Sequence, residues 1–257
     1  MKVVILAGGL GTRLSEETAI RPKPMVDIGD RPILWHIMKM YAAYGFNEFV
    51  ILGGYRVDFI RNYFLNYRDS TSDFTIDLKT GAVDYISAAP EPWKVTVLDT
   101  GINSMTGGRI KRAQSVIGNE PFFLTYGDGV SDVNIAALLA FHRRSNALAT
   151  LTAVIPPGRF GVLSLSENGE RVATFREKDS QDVGLISGGF FVCEPEVFDL
   201  IDNDMCVWEE TPMARLVERG KLASFRHTGF WQPMDTLRDK SILEDLWKSG
   251  RAPWKVW

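Results

Sequence analysis

At 257 residues, with 45% apolar and 24% charged content, the chain carries enough apolar material for a sizeable core and reads as a single soluble α/β domain. Its net charge of −3 argues against a nucleic-acid partner, which shows as a basic domain or stripe, so any phosphate it holds is held locally. Two cysteines, Cys193 and Cys206, exclude a disulfide framework and lack metal-site spacing, which points to a reducing compartment. No stretch approaches the roughly 20 apolar residues of a membrane span and no charged, apolar leader opens the sequence, so the expectation is a cytoplasmic protein without a membrane partner.

Residues 2–6 are a short β-branched apolar run of the kind that forms a buried parallel strand, and the run stops at a turn carrying Gly8, Gly9 and Gly11. Glycines let the main chain approach a ligand closely and reach positive φ, so the amides of such a turn can cradle a triphosphate. Arg13 and Lys23 bring two cations to the same mouth. The spacing matches neither common phosphate loop, since G-x-x-x-x-G-K-[ST] and G-x-G-x-x-G are both missing from this stretch. Pro32 then opens ILWHIMKMYAAYG, a helical stripe closed at Gly45, in which His36 reads as a packing residue. Residues 49–52 form the second strand, and Gly53-Gly54 turns into a helix over DFIRNYFLNY. The β-α-β-α order predicts a parallel sheet with right-handed crossovers and a ligand crevice at the carboxyl ends of its strands.

From residue 69 to 92 the pattern changes to two alternating strands, FTIDL and VDYI, around Lys79-Thr80-Gly81, a hairpin insertion expected to cover an edge or a subunit contact. Residues 96–99 resume the core, and SMTGGRIKR opens a helix whose two glycines permit close approach to a ring or a phosphate. PFFLT is a buried strand ending in YGDGV, where Asp128 emerges between glycines as a natural Mg²⁺ ligand, because that ion takes one or two carboxylates plus substrate phosphates. Asp132 reads as the cap of the next helix, which carries Ile135, Leu138, Leu139 and Phe141. Strand 149–154 leads into PPGRFG; the ENGE turn at 167–170 joins it to the returning RVATFREK, where Glu177 can accept from hydroxyls and Lys178 can face a phosphate. Strand 186–192, helix 212–219 and strand 222–225 follow. Asp235, just before a helix at 236–247, is either its cap or a second metal carboxylate. Trp254 and Trp257 either pack back or lie at a subunit contact.

LAGGLGTRL, RPKPM, SMTGGRIKR, TYGDGV, PPGRFG, ISGGFF and GFWQPMDTLRDK, in this order over essentially the whole chain, resemble the sugar-phosphate nucleotidylyltransferases, and SMTGGR and FWQPMDT are closer to the cytidylyl branch. The resemblance implies a Rossmann-like, mixed but mostly parallel central sheet flanked by helices with small β insertions. It also implies a nucleotide-binding half over 1–130 and a sugar-phosphate half over 131–257. Leu6, Ala7, Gly8, Gly9, Leu10, Gly11, Thr12 and Arg13 would hold CTP, with Thr106, Gly107 and Arg109 closing over base and ribose. Arg13 and Lys23 would face the phosphates, and Asp128 (behind Gly127) and Asp235 would hold Mg²⁺. Gly161, Glu177 and Lys178 would hold glucose 1-phosphate, giving CDP-glucose and pyrophosphate, with Arg13, Lys23 and Asp128 carrying most of the rate. The family further implies a homo-oligomer, a hexamer, and deoxysugar synthesis for surface lipopolysaccharide. Two positions depart from its pattern on the sugar side: Asp179 follows Glu177-Lys178 where relatives have proline, and Ser187 stands where they have asparagine. A uridylyl or thymidylyl relative using UTP or dTTP, and a sugar-nucleotide-binding regulator without turnover, remain the alternatives.

Overall fold

Five consecutive apolar residues, Val3–Ala7, are buried on both sides as the strand β1 of a seven-stranded sheet, which is why this run does not alternate with polar residues. The other strands are β2 (Glu48–Gly53), β3 (Lys94–Asp99), β4 (Phe122–Tyr126), β5 (Ala149–Val154), β6 (Ile186–Cys193) and β7 (Leu222–Arg226), in the spatial order β7-β5-β6-β4-β1-β2-β3. The structure, a computed structural model, describes residues 1–11, 14–87, 91–156, 162–165, 172–176 and 184–257. Within the sheet β1 runs parallel to β2 and β4, β2 to β3, and β5 to β7, while β6 is antiparallel to both of its neighbours. The expected mixed, mostly parallel α/β architecture is therefore what the chain forms.

Alternate residues of the same strands supply two cores. Val3, Ile5, Phe49, Ile51 and Phe123 face one side, against the helix Ile33–Ala42; Val4, Leu6, Val50, Leu52 and Leu124 face the other, against Ile110, Phe198 and Trp208. The helix at 33–42 ends as its sequence suggests, with Gly45 at φ +84 just beyond it. His36 is fully buried in it: its Nε2 lies 2.9 Å from the Ile28 carbonyl, and Trp254 Nε1 donates to its Nδ1 at 3.3 Å. That pairing makes the ring a neutral imidazole with its proton on Nε2. Burial pushes its pKa down from 6.5 to about 4, against the raising pull of the Ile28 and Arg31 backbones. Trp254 is completely buried against His36, Phe230 and Trp247, so the tail packs back on the domain.

The hairpin forms as expected, Phe74–Ile76 pairing antiparallel with Val83–Tyr85, and leaves Phe74, Ile76, Leu78 and Ile86 exposed. Val162–Leu165 and Val172–Arg176 also pair antiparallel, while the ENGE turn between them lies outside the described residues. One cap differs from expectation. The helix Ile135–Ser145 is capped by Asn134, whose side chain accepts from Ala137 N at 2.8 Å. Asp132 instead pairs with His227 at 3.0 Å, because it stands two residues too early to reach the orphan amides of the first turn.

Candidate active site

The carboxyl ends of β1 and β4, with the segment that follows β3, open into a cleft of about 570 Å³. Its floor is the turn at residues 6–11, one wall is 102–106, and the other is Lys23, Pro24, Tyr126, Gly127 and Asp128. The turn is held from several sides. Tyr55 N donates to the Gly8 carbonyl at 3.2 Å, and Gly127 N to the Leu6 carbonyl at 2.9 Å. Gly11 sits at φ +65, where its carbonyl accepts from Leu14 N and Thr18 Oγ1, both at 3.0 Å. Thr12 and Arg13 lie outside the described residues.

Arg109, expected with Thr106 and Gly107 to close over base and ribose, lines the cleft and is buried at 5% exposure, with its guanidinium directed at the backbone that forms it. Nη1 donates to Thr100 Oγ1 and the Gly101 carbonyl, both at 2.7 Å, and to the Gly53 carbonyl at 3.2 Å. Nη2 donates to the carbonyls of Gly8 at 3.0 Å and Ile102 at 3.3 Å. Burial lowers its pKa from the ordinary value, and Asp99 opposes that shift. One planar fork thus ties the β1 turn, the β2 turn and the 100–102 segment together. The glycines at 8 and 54 leave room for this fork, since a Cβ at either would stand 2.3 Å from Nη1 and displace the guanidinium. Gly107 has a packing role as well. A Cβ there would stand 2.7 Å from the Cys206 carbonyl oxygen, so this glycine admits the 204–206 segment against the helix Thr106–Arg112.

Lys23 lies in the short turn Lys23–Met25, between Pro22 and Pro24, and its Nζ donates to Asp128 Oδ2 at 2.7 Å and Asp235 Oδ1 at 2.6 Å. Burial alone would lower its pKa; the two carboxylates outweigh that and hold the ammonium above its ordinary value. Asp128 and Asp235, far apart in sequence, are brought together by a small ribbon: Gly129–Ser131 pairs antiparallel with Trp231–Pro233, and Met234 N donates to the Asp128 carbonyl at 2.8 Å. Capping of the helix Leu237–Lys248 falls to Thr236 and the buried Asp239. Asp239 accepts from Asp235 N at 3.2 Å, Thr236 N at 2.9 Å and Gln232 Nε2 at 3.1 Å, and the Asp235 carboxylate reaches Lys23. Among the described residues no group of three or more His, Cys, Asp or Glu side chains could hold a metal. The two carboxylates do converge on one cationic point, the Lys23 ammonium, which is the donor set of an ion that completes its shell with water and phosphate oxygens.

A smaller cleft of about 60 Å³ adjoins the first, sharing Tyr126 and Asp128 and adding Ser187, Gly188 and Trp231. Trp231 Nε1 donates to the Gly188 carbonyl at 2.7 Å. Gly161, Glu177, Lys178 and Asp179 lie outside the described residues. Three participants escaped the sequence reading. Asp239 had a legible signal, standing three residues after Thr236 as a capping-box partner. Tyr126 stands beside the more conspicuous GDG and carries no signal of its own. Glu209 had no local signal at all, and the fold alone brings it to Thr106, whose Oγ1 donates to Glu209 Oε2 at 2.7 Å, and to Tyr126, whose hydroxyl donates to Oε1.

Residues 2–232 match the model of a family described as nucleotidyl transferase. The chain is 54% identical to the glucose-1-phosphate cytidylyltransferase of Salmonella typhi, over 100% of both chains. It is 45% identical to the probable glucose-1-phosphate cytidylyltransferase of Bacillus subtilis, again over 100% of both. Among solved structures it is similar to HddC from Yersinia pseudotuberculosis, with a TM-score of 0.70 at 23% identity over 96% of this chain and 99% of the other, a likeness of fold.

Proposed function

The chain belongs to the nucleotidyl transferase family, and from that premise we propose that it transfers a cytidylyl group from CTP to α-D-glucose 1-phosphate, giving CDP-glucose and pyrophosphate. The observation that carries this reading is the convergence of the glycine turn, Lys23 and the Asp128–Asp235 pair on one cleft, in a chain alignable end to end with cytidylyltransferases. The glycine turn and Arg13 hold the triphosphate, the wall at 102–106 flanks the nucleoside, and Gly161, Glu177 and Lys178 receive the sugar phosphate. In this reading residues 1–130 form the nucleotide-binding half and 131–257 the sugar-phosphate half.

A sugar phosphate has a second pKa of about 6 and is largely a dianion at neutral pH, so its oxygen needs no general base to attack the α-phosphorus. The new P–O bond forms as the bond to the β-phosphate breaks, and pyrophosphate leaves in line. What the protein adds is positioning and neutralisation of charge. Arg109 keeps the glycine turn in place, Asp239 fixes the backbone of Asp235, and Lys23, two of whose three protons go to Asp128 and Asp235, keeps one for a phosphate. Mg²⁺, held by Asp128 and Asp235, would supply further neutralisation of phosphate charge. In the reading of a homo-oligomer, a hexamer, the exposed 74–86 hairpin is the candidate contact.

Pyrophosphate release from CTP, UTP, dTTP and ATP, each with glucose 1-phosphate and with or without Mg²⁺, tests the proposal. Release from CTP that depends on both Mg²⁺ and glucose 1-phosphate is the expected result. A preference for UTP or dTTP would replace the donor, and silence with all four would remove the catalytic reading.

A further inference from the structure

Glu209 sits in the 207–210 segment just before the helix Thr211–Glu218, exposed to solvent and outside every motif described above. It accepts hydrogen bonds from two hydroxyls on opposite walls of the cleft. One comes from Thr106 at the start of the helix Thr106–Arg112, with Oγ1 to Oε2 at 2.7 Å; the other comes from Tyr126 at the end of β4, donating to Oε1. Thr106 and Tyr126 both line the cleft, and Tyr126 also lines the smaller cleft beside it. Trp208 N, immediately preceding, donates to Thr106 Oγ1 at 2.9 Å.

The direction of these bonds is dictated by chemistry. An ionised carboxylate can only accept, so both hydroxyl protons are committed to Glu209. The Tyr126 oxygen, and the lone pair of Thr106 that Trp208 leaves over, can then only accept from whatever enters the cleft. Lone pairs thus face the ligand with the protons turned away. Such a surface pairs with a ligand group that donates and is left unsatisfied by one that can only accept, an asymmetry that discriminates more strongly than a gained or lost methylene does.

We propose that Glu209 is a positioning residue for specificity: it polarises Thr106 and Tyr126 into an acceptor wall that selects a nucleoside presenting a hydrogen-bond donor. The proposal rests on the nucleotidyl-transfer reading for the placement of a nucleoside in this cleft. Among the donors of a cytidine nucleotide, the 4-amino group of the base and the 2′-hydroxyl of the ribose are the two that a competing nucleotide lacks. Uracil presents a carbonyl in place of the amino group, and a 2′-deoxyribose lacks the hydroxyl, so the two sources are separable.

Dissociation constants of CTP, UTP and 2′-deoxy-CTP, measured by calorimetry on the wild type, Glu209→Gln and Tyr126→Phe, read the proposal without depending on turnover. The amide of Glu209→Gln can donate as well as accept and releases the hydroxyl protons from their fixed direction. The expected result is that Glu209→Gln lowers the CTP-over-UTP preference about tenfold, and that adding it to Tyr126→Phe lowers the preference little further. A fall confined to the CTP-over-2′-deoxy-CTP ratio would support the wall and assign its ligand to the ribose. Unchanged ratios for both pairs in both variants would overturn it. Because Tyr126→Phe removes one oxygen and keeps the ring, it decides the matter even where Glu209→Gln fails to fold. A wild type that binds CTP in preference to UTP but releases no pyrophosphate would sink the catalytic reading and leave the wall intact.

Discussion

The replacement of Arg109 by lysine separates a residue that touches the nucleotide from one that builds the site. Lysine preserves the positive charge and much of the apolar stem but replaces a planar fork by a single ammonium with three protons. The guanidinium now spans acceptors on three segments, Gly8, Gly53 and the 100–102 stretch, and one ammonium cannot reach all of them. Carbonyls buried around it would lose their partner, at about 1–3 kcal/mol for each group left unsatisfied. With one or two such groups stranded, the expected loss is about 2–4 kcal/mol, which for a chain of this size lowers Tm by roughly 5–15 °C. Scanning calorimetry checks the stability arm, and the KM for CTP checks the other, because a glycine turn released on one side is expected to raise KM by about tenfold or more. A variant that melts like the wild type but binds CTP poorly would refute the clamp and return Arg109 to direct contact with the nucleotide. A variant unchanged in both would refute any role for the fork.

Asp128→Asn is expected to reduce turnover at least about a hundredfold, measured as pyrophosphate release, while circular dichroism retains the folded signal. Gly108→Ala is expected to cost about 1–3 kcal/mol in denaturant unfolding, because its Cβ would stand 2.2 Å from the Asp204 carbonyl oxygen and the backbone must move. His36 makes the fold acid-sensitive. It stays neutral in the folded chain down to about pH 4 and protonates near pH 6.5 when unfolded, so the unfolded state binds more protons in that interval. Its contribution is present in full above about pH 6.5 and is lost as pH falls toward 4, by about 3 kcal/mol in total. His36→Gln should flatten the pH dependence of Tm over that window, and an unchanged slope would refute the assignment.

The order of the elements was legible along the chain because each depends on local chemistry. An uninterrupted apolar run such as Val3–Ala7 has no polar residue to place in water, so it is buried on both faces and its neighbours run mostly parallel. The glycine turn, the Pro-flanked Lys23 and the Asp128 turn likewise declared themselves, since glycine and proline act on the backbone where they stand. The cap of the helix at 135–145 falls two residues later than the sequence suggests, at Asn134 and not Asp132, because both residue types cap and only the backbone path decides which one faces the first turn.

What the sequence by itself determined, then, is the strand and turn pattern and the chemical types gathered at the strand ends. What only the tertiary structure decided is which way those groups point. The antiparallel ribbon of Gly129–Ser131 with Trp231–Pro233 sets Asp235 beside Asp128 around one ammonium. Packing turns the Arg109 guanidinium onto the Gly8 backbone at the cleft floor, and Glu209 reaches Thr106 and Tyr126 across the fold. Each of these is a pairing between distant segments. Its energy comes from a buried or half-buried donor meeting an acceptor that no local pattern records.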